Sequence, residues 1–378
     1  MEATSNLQSA RIVKTFTLII AIALMSFFQA ACNGSVEEDA NEENGEELTG
    51  IRVENGVLVD ADNIPFIPYG VNSIHVWRDG DHSVNALRNE INKTGANTVR
   101  LVTAGKSWHW NNQSRTASQK RQLVRDAIDA GLVPMLEMHD GTCVSEFDLP
   151  PFDENGEPNN EMGLKQIVEE WLEPENLQTL RTFEDKLLLN IANEWGEHDE
   201  VFFEGYKYAI TELRNAGINN VLVIDAGGNC GQNPHSLLEY GDALFEHDPL
   251  NNVVLSIHLY GFWRTDDQQF TDWTPPFSVE EIFPQLAELK APVIVGEYGW
   301  DPVDGHVNFD PVKMMQISKD LGFGWYFWAW SDGEEYHNVV NTHDYTYNGP
   351  EDLTPAGQVL VNDPELGFQN IARQAAGF

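Results

Sequence analysis

The chain has 378 residues, 42% hydrophobic and 11% aromatic, which is enough apolar side chain for one large core of α/β-barrel size. Its 60 Asp and Glu against 22 Lys and Arg give a formal charge of -38, which excludes a nucleic-acid role, because phosphate binding needs clustered cations. A neutral partner such as a sugar polymer is compatible with that balance.

In chain order, Arg11 and Lys14 precede a mostly apolar stretch over 16–28 that is too short to span a membrane, and Ala30-Ala31-Cys32 follows. Residues 1–32 therefore read as an export signal. Small residues before Cys32 resemble a bacterial lipoprotein cleavage box, in which Cys32 becomes lipidated; the alternative is an ordinary secretory peptide. The expected location is the outer membrane, with membrane contact through the lipid alone. Residues 33–50 are dominated by Glu, Asp, Asn and Gly and predict an acidic, solvated tether.

A single catalytic domain is expected over 51–378. Residues 51–65 alternate around Asn55-Gly56 and Asp62-Asn63, which predicts a β-hairpin closing the bottom of the fold. Eight short apolar runs follow, at 66–72, 98–102, 133–139, 187–194, 221–225, 253–260, 292–297 and 324–330. Segments of helical periodicity separate several of them. A helix read over Ser83 to Lys93 carries Val84, Leu87 and Ile91 on one face ahead of Gly95, and Ser118 is placed to cap a helix that Gly131 closes. A further helix is read over 204–216, Ser278 starts another, and Asp310-Pro311 a third. Eight buried strands alternating with helices predict a parallel sheet closed on itself, the (β/α)8 TIM barrel of the α/β class. The long loop over 140–161 falls on the face where such barrels carry their sites. Cys143 and Cys230 both follow predicted strands, and the sequence leaves open whether they form a disulfide or remain two thiols.

Polar residues at the ends of the runs carry the chemistry: Asn72, Arg100, His139, Asn193, Glu194, His258, Tyr260, Glu297 and Trp328. Glu194 and Glu297 end the fourth and seventh runs, which suits glycoside hydrolysis by one protonated and one ionised carboxyl. Arg100 and Tyr260 are expected to hold Glu297 as the carboxylate. Glu194, with no evident cation beside it, keeps a raised pKa and serves as acid and then base. His139-Asp140 and His258 raise a metal reading, but without a His-x-His or His-Glu-x-x-His run no metal and no cofactor are expected. Trp77, Trp108, Trp110, Trp195, Trp263, Trp300, Trp328 and Trp330 fall mostly at or after strand ends, where aromatic faces stack on sugars; Trp325 or Trp330 is expected in the core.

These residues together resemble glycoside hydrolase family 5: the run at 66–72, Asn97-Thr98-Val99-Arg100, Met138-His139-Asp140, Ala192-Asn193-Glu194-Trp195, Ser256-Ile257-His258-Leu259-Tyr260, Gly296-Glu297-Tyr298-Gly299 and Trp328-Ala329-Trp330. The resemblance implies a retaining mechanism, with Glu194 as acid/base and Glu297 as nucleophile. It further implies Arg100, His139, Asn193, His258, Tyr260 and Trp328 around the cleaved sugar. Within the family, residues 189–195, 223–228 and 231–234 look most like bacterial β-1,4-mannanases, so the expected partner is β-mannan, with β-glucan the alternative. Trp195, Trp263 and Trp300 are expected to bind substrate as well. A barrel that binds polysaccharide without cleaving it is the other reading, and a monomer is expected.

Overall fold

The computed structural model describes residues 48–77, 80–106, 115–157, 159, 161–270, 273–300, 307–331 and 337–378. The predicted signal with Cys32, nearly all of the tether, and Trp108 and Trp110 lie outside them. Among the described residues no helix is long and apolar enough to cross a membrane.

The chain opens on the predicted hairpin, β1 (Arg52–Glu54) and β2 (Val57–Val59), paired antiparallel. Asn55 and Gly56 turn it with φ of 52° and 76°, the left-handed geometry that a two-residue hairpin loop demands. Gly56 is required for a second reason: a methyl group there would stand 2.5 Å from the Lys290 carbonyl oxygen. Val53 N donates to Asn252 Oδ1 at 2.8 Å. Asn252 immediately precedes a barrel strand, so the hairpin closes the N-terminal end of the barrel, as expected.

Eight parallel strands form that barrel: β3 (Tyr69–Ile74), β4 (Thr98–Val102), β5 (Val133–Glu137), β6 (Leu188–Asn190), β7 (Val221–Asp225), β8 (Val253–Leu259), β11 (Val293–Tyr298) and β12 (Gly324–Phe327). They close in sequence order, β12 pairing with β3. Their side chains are almost entirely buried, which explains the near-continuous Val, Ile and Leu of the runs. Two short strands, β9 (Trp263–Arg264) and β10 (Phe277–Ser278), pair outside the barrel.

Among the described residues ten α-helices accompany the strands: α1 (Gly80–Asn89), α2 (Ala117–Asp129), α3 (Leu164–Trp171), α4 (Pro174–Thr182), α5 (Glu200–Asn215), α6 (Pro234–His247), α7 (Val279–Leu286), α8 (Pro311–Leu321), α9 (Pro355–Asn362) and α10 (Phe368–Ile371). Ser278 and Asp310 cap α7 and α8 as the sequence predicts, each accepting from backbone N–H groups of the first turn. Three predicted starts are corrected. Thr116, not Ser118, caps α2, because Gln119 stands three residues after it and returns a bond to its backbone. α5 starts at Glu200 rather than 204 because Asp199 supplies the cap, and α1 starts at Gly80, ahead of Ser83. The last segment returns to the hairpin side, where Arg373 Nη1 meets Asp60 Oδ2 at 2.7 Å.

Candidate active site

Arg100 on β4 organises the upper end of the barrel. It is fully buried and donates to Glu297 Oε1 at 2.6 Å, Asn72 Oδ1 at 3.0 Å, Asn193 Oδ1 at 2.6 Å and Asn190 Oδ1 at 2.8 Å. The carboxylates of Asp225 and Glu137 lie 3.7 and 3.9 Å from its Nη2. Burial opposes the charge of the guanidinium, but Glu297, Glu137 and Asp225 hold its pKa above the ordinary value. A cation so enclosed fixes the polar side chains of β3, β6, β7 and β11 around it.

Glu297, near the end of β11, has a donor on each oxygen: Arg100 on Oε1, and on Oε2 the Tyr260 hydroxyl at 3.0 Å. Glu194 stands beyond β6 with φ of 49°, a conformation that costs a non-glycine residue about 1–3 kcal/mol unless its surroundings impose it. Its N–H donates to Asp225 Oδ2 at 3.1 Å, and its carboxyl meets His258 Nδ1 at 2.8 Å. Burial pushes the pKa of Glu194 up, with His258 offsetting part of the effect. The expectation that Glu194 has no cation beside it is corrected: His258 is that neighbour. Burial of the imidazole is outweighed by the charges of Glu297 and Asp225, and its pKa is pushed up to about 10.

One carboxylate oxygen of Glu194, one of Glu297 and a ring nitrogen of His258 lie within 4.8 Å of one another, close enough to share a cation. The donors already in place fit a metal poorly. Both Glu297 oxygens accept hydrogen bonds, and a protonated His258 has no lone pair to offer.

An open cleft borders this cluster, lined by His139, Glu194, Cys230, Gln232, Tyr260, Phe262, Glu297 and Trp328. Trp328 stacks with His139 and with Trp77, ring centres 5.9 and 6.0 Å apart, and makes an aromatic wall. Asn193 Nδ2 donates to Thr142 Oγ1 at 2.8 Å. The structure thus gathers Arg100, His139, Asn193, Glu194, His258, Tyr260, Glu297 and Trp328.

It does not bring Trp195 and Trp263 to the cleft, which corrects their expected role in substrate binding. Both are 0% exposed. Trp195 donates its indole N–H to Glu146 O and packs against Tyr206, and Trp263 donates to Gln232 O between Phe277 and Phe283. Trp300 is half-buried, edge-on to Phe327. Trp325 and Trp330 are in the core.

Sequence reading missed Glu137, Asn190, Asp225 and Gln232. Asp225 is a polar residue closing an apolar run, and Asn190 and Glu137 break theirs as Arg100 breaks its own. Gln232 has no such signal: its Oε1 accepts from the N–H groups of Tyr260 and Phe262 and so shapes their loop.

A carboxyl pair with unlike neighbours, at the C-terminal mouth of a parallel barrel and beside a wall of aromatic rings, defines a barrel glycoside hydrolase. Residues 59–334 match the family described as Cellulase (glycosyl hydrolase family 5). A mannan endo-1,4-beta-mannosidase of Salipaludibacillus agaradhaerens is 30% identical over 87% of this chain and 96% of its own length. The beta-mannanase/endoglucanase A of Caldicellulosiruptor saccharolyticus is also 30% identical, over 82% of this chain and 21% of that protein. Among solved structures, the beta-mannanase of Thermomonospora fusca superposes with a TM-score of 0.70 at 29% identity, covering 86% of this chain and 98% of that one. The chain belongs to glycosyl hydrolase family 5.

Proposed function

We propose that this chain is a retaining endo-β-1,4-mannanase, with Glu297 as nucleophile and Glu194 as acid/base. The observation that carries the mechanism is that a carboxylate oxygen of Glu194 and one of Glu297 lie within 4.8 Å of each other. A covalent route needs about 5 Å between them, whereas inversion needs about 6.5–9.5 Å to admit a water. Glu297, held by Arg100 and Tyr260, attacks the anomeric carbon; the glycosidic C–O bond breaks, and the Glu194 proton passes to the leaving oxygen. Glu194 then takes a proton from water, the water oxygen bonds to the anomeric carbon, and Glu297 leaves as carboxylate. One water is consumed and the β configuration is kept.

Mannan as substrate is supported by the likeness to proteins named for it, over nearly their full length in two cases. The C2 hydroxyl of mannose is axial, and we place it on Asn193, which is fixed between Arg100 and Thr142. A site that depends on such a bond discriminates strongly against the epimer. kcat/KM on mannan oligosaccharides is expected to exceed that on cello-oligosaccharides of equal length by at least about a hundredfold, roughly 2.7 kcal/mol. Equal or faster cleavage of the cello series overturns the substrate and leaves the mechanism standing. The mechanism is tested with azide: Glu194→Ala should recover as the β-glycosyl azide and Glu297→Ala as the α-azide, and equal residual activity without rescue sinks both roles.

We further infer that residues 1–32 direct export and that Cys32 carries lipid, on the strength of the apolar stretch and Ala30-Ala31-Cys32. Labelled palmitate should enter the wild-type chain and not Cys32→Ala; equal membrane partition of the two returns the segment to a plain secretory signal.

A further inference from the structure

Two loops are clipped together beside Glu194. Cys143, in the loop after β5, and Cys230, in the loop after β7, form a disulfide across 87 residues of sequence. Their sulfurs and a Glu194 carboxylate oxygen lie within 4.8 Å of one another. Cys230 lines the cleft, and Cys143 is exposed.

The residues next to each cysteine grip the residues about Glu194. Thr142 accepts from the Asn193 side chain at 2.8 Å, and Val144 O accepts from Gly196 N at 2.8 Å. The Cys143 loop therefore holds the Glu194 segment on both sides. Gly231, after Cys230, sits so close that a methyl there would stand 2.8 Å from Glu194 Cγ. Its carbonyl accepts from His258 N at 3.0 Å, and His258 in turn reaches the Glu194 carboxyl. Cys143, Glu194 and Cys230 all have positive φ, 60°, 49° and 53°, a region that residues with side chains adopt when their surroundings impose it.

We propose that the Cys143–Cys230 disulfide is a positioning element for the acid/base: it locks the two loops that hold Glu194 and forms an apolar wall that keeps water from its carboxyl. The inference rests on the role given to Glu194 above. An acid must face the leaving oxygen, while the nucleophile faces the anomeric carbon, so a surface in contact with Glu194 borders the departing sugar. A disulfide suits that place because its sulfurs are weak hydrogen-bonding groups and add no competing partner to a carboxyl that already meets His258. Opening the bond frees two loop tips of their covalent constraint and admits water to Glu194. The carboxyl then loses both its aim and the burial that raises its pKa.

The test compares wild-type enzyme, wild-type enzyme reduced with dithiothreitol, and Cys143→Ala/Cys230→Ala, at a temperature where near-ultraviolet circular dichroism shows each folded. If the double variant fails to fold, the reduced enzyme, which keeps both sulfurs, gives the reading. Two substrates are used: a mannan oligosaccharide, whose leaving group needs a proton, and 2,4-dinitrophenyl β-mannobioside, whose leaving group does not. Opening the disulfide is expected to cost about tenfold or more in kcat/KM on the oligosaccharide, a share of the ~100- to 10,000-fold that a placed acid supplies. The dinitrophenyl substrate should lose less than about twofold, and the alkaline limb on the oligosaccharide should move to lower pH. No loss, or equal loss on both substrates with the limb unmoved, overturns the proposal. Glu194→Ala is run alongside: equal loss on both substrates there overturns the acid/base assignment itself, independently of the cysteines.

Discussion

His258 meets carboxylates at both ring nitrogens: Glu194 at 2.8 Å and Glu297 at 3.7 Å from Nδ1, and Asp225 at 3.6 Å from Nε2. Its pKa is raised from the ordinary 6.5 to about 10. A group raised on folding stabilises fully below its unfolded value and loses that contribution as pH rises through its folded one. Tm is therefore expected to fall between about pH 6.5 and pH 10, and His258→Gln should flatten much of that slope; a variant with the wild-type slope would refute the linkage. Asp225 has the opposite sign. Burial raises it, but His258 and Arg100 bring it down to about 2, so its stabilisation is lost only in strong acid. At this scale Arg100, Glu194 and Glu297 were legible because a charge closing or breaking an apolar run has few structural uses. The misreading of Trp195 and Trp263 shows the limit of that signal. Both follow strand ends, yet their indoles fold back under the loops to reach the carbonyls of Glu146 and Gln232, partners too distant in sequence to be read locally.

Among the elements, the runs at 98–102 and 221–225 coincide with β4 and β7, whereas those at 133–139 and 187–194 overrun β5 and β6. The overrun has a physical cause: Met138, Ile191 and Ala192 are fully buried although the ladder has ended. Apolar sequence reports burial, and burial continues where the chain leaves the sheet to aim Glu194. Helix starts were legible where a cap stood alone, as at Asp310, and misplaced where two hydroxyls competed, as at Thr116 and Ser118. Asp310 accepts from Val312 N at 2.9 Å and Lys313 N at 3.3 Å. Asp310→Ala is expected to destabilise by about 1 kcal/mol, read as a lower urea midpoint at unchanged slope with kcat preserved. A midpoint equal to wild type would show that Pro311 alone sets the start of α8.

For the whole molecule, a formal charge of -38 makes self-repulsion the dominant long-range term. Screening relieves it: Tm is expected to rise as salt goes from about 0.05 M to about 1 M, as the Debye length shrinks from well above 10 Å to about 3 Å. A falling Tm would mean that attractive pairs such as Arg373 with Asp60 and Arg214 with Asp248 outweigh the repulsion. The barrel itself was the most legible feature, since eight runs alternating with helices admit few other closures. The disulfide was not, because pairing Cys143 with Cys230 depends on two loops meeting over a carboxyl that neither contains. The N-terminal end of the barrel carries a different consequence. Ile51 N donates to Asp185 O at 2.9 Å, and Lys186 Nζ lies 5.6 Å from the centre of the Phe378 ring. Residues 51 and 378 thus reach one patch just before β6, on the face opposite the cleft. An enzyme fixed to a solid support through either point would therefore turn its open mouth toward the polymer in solution.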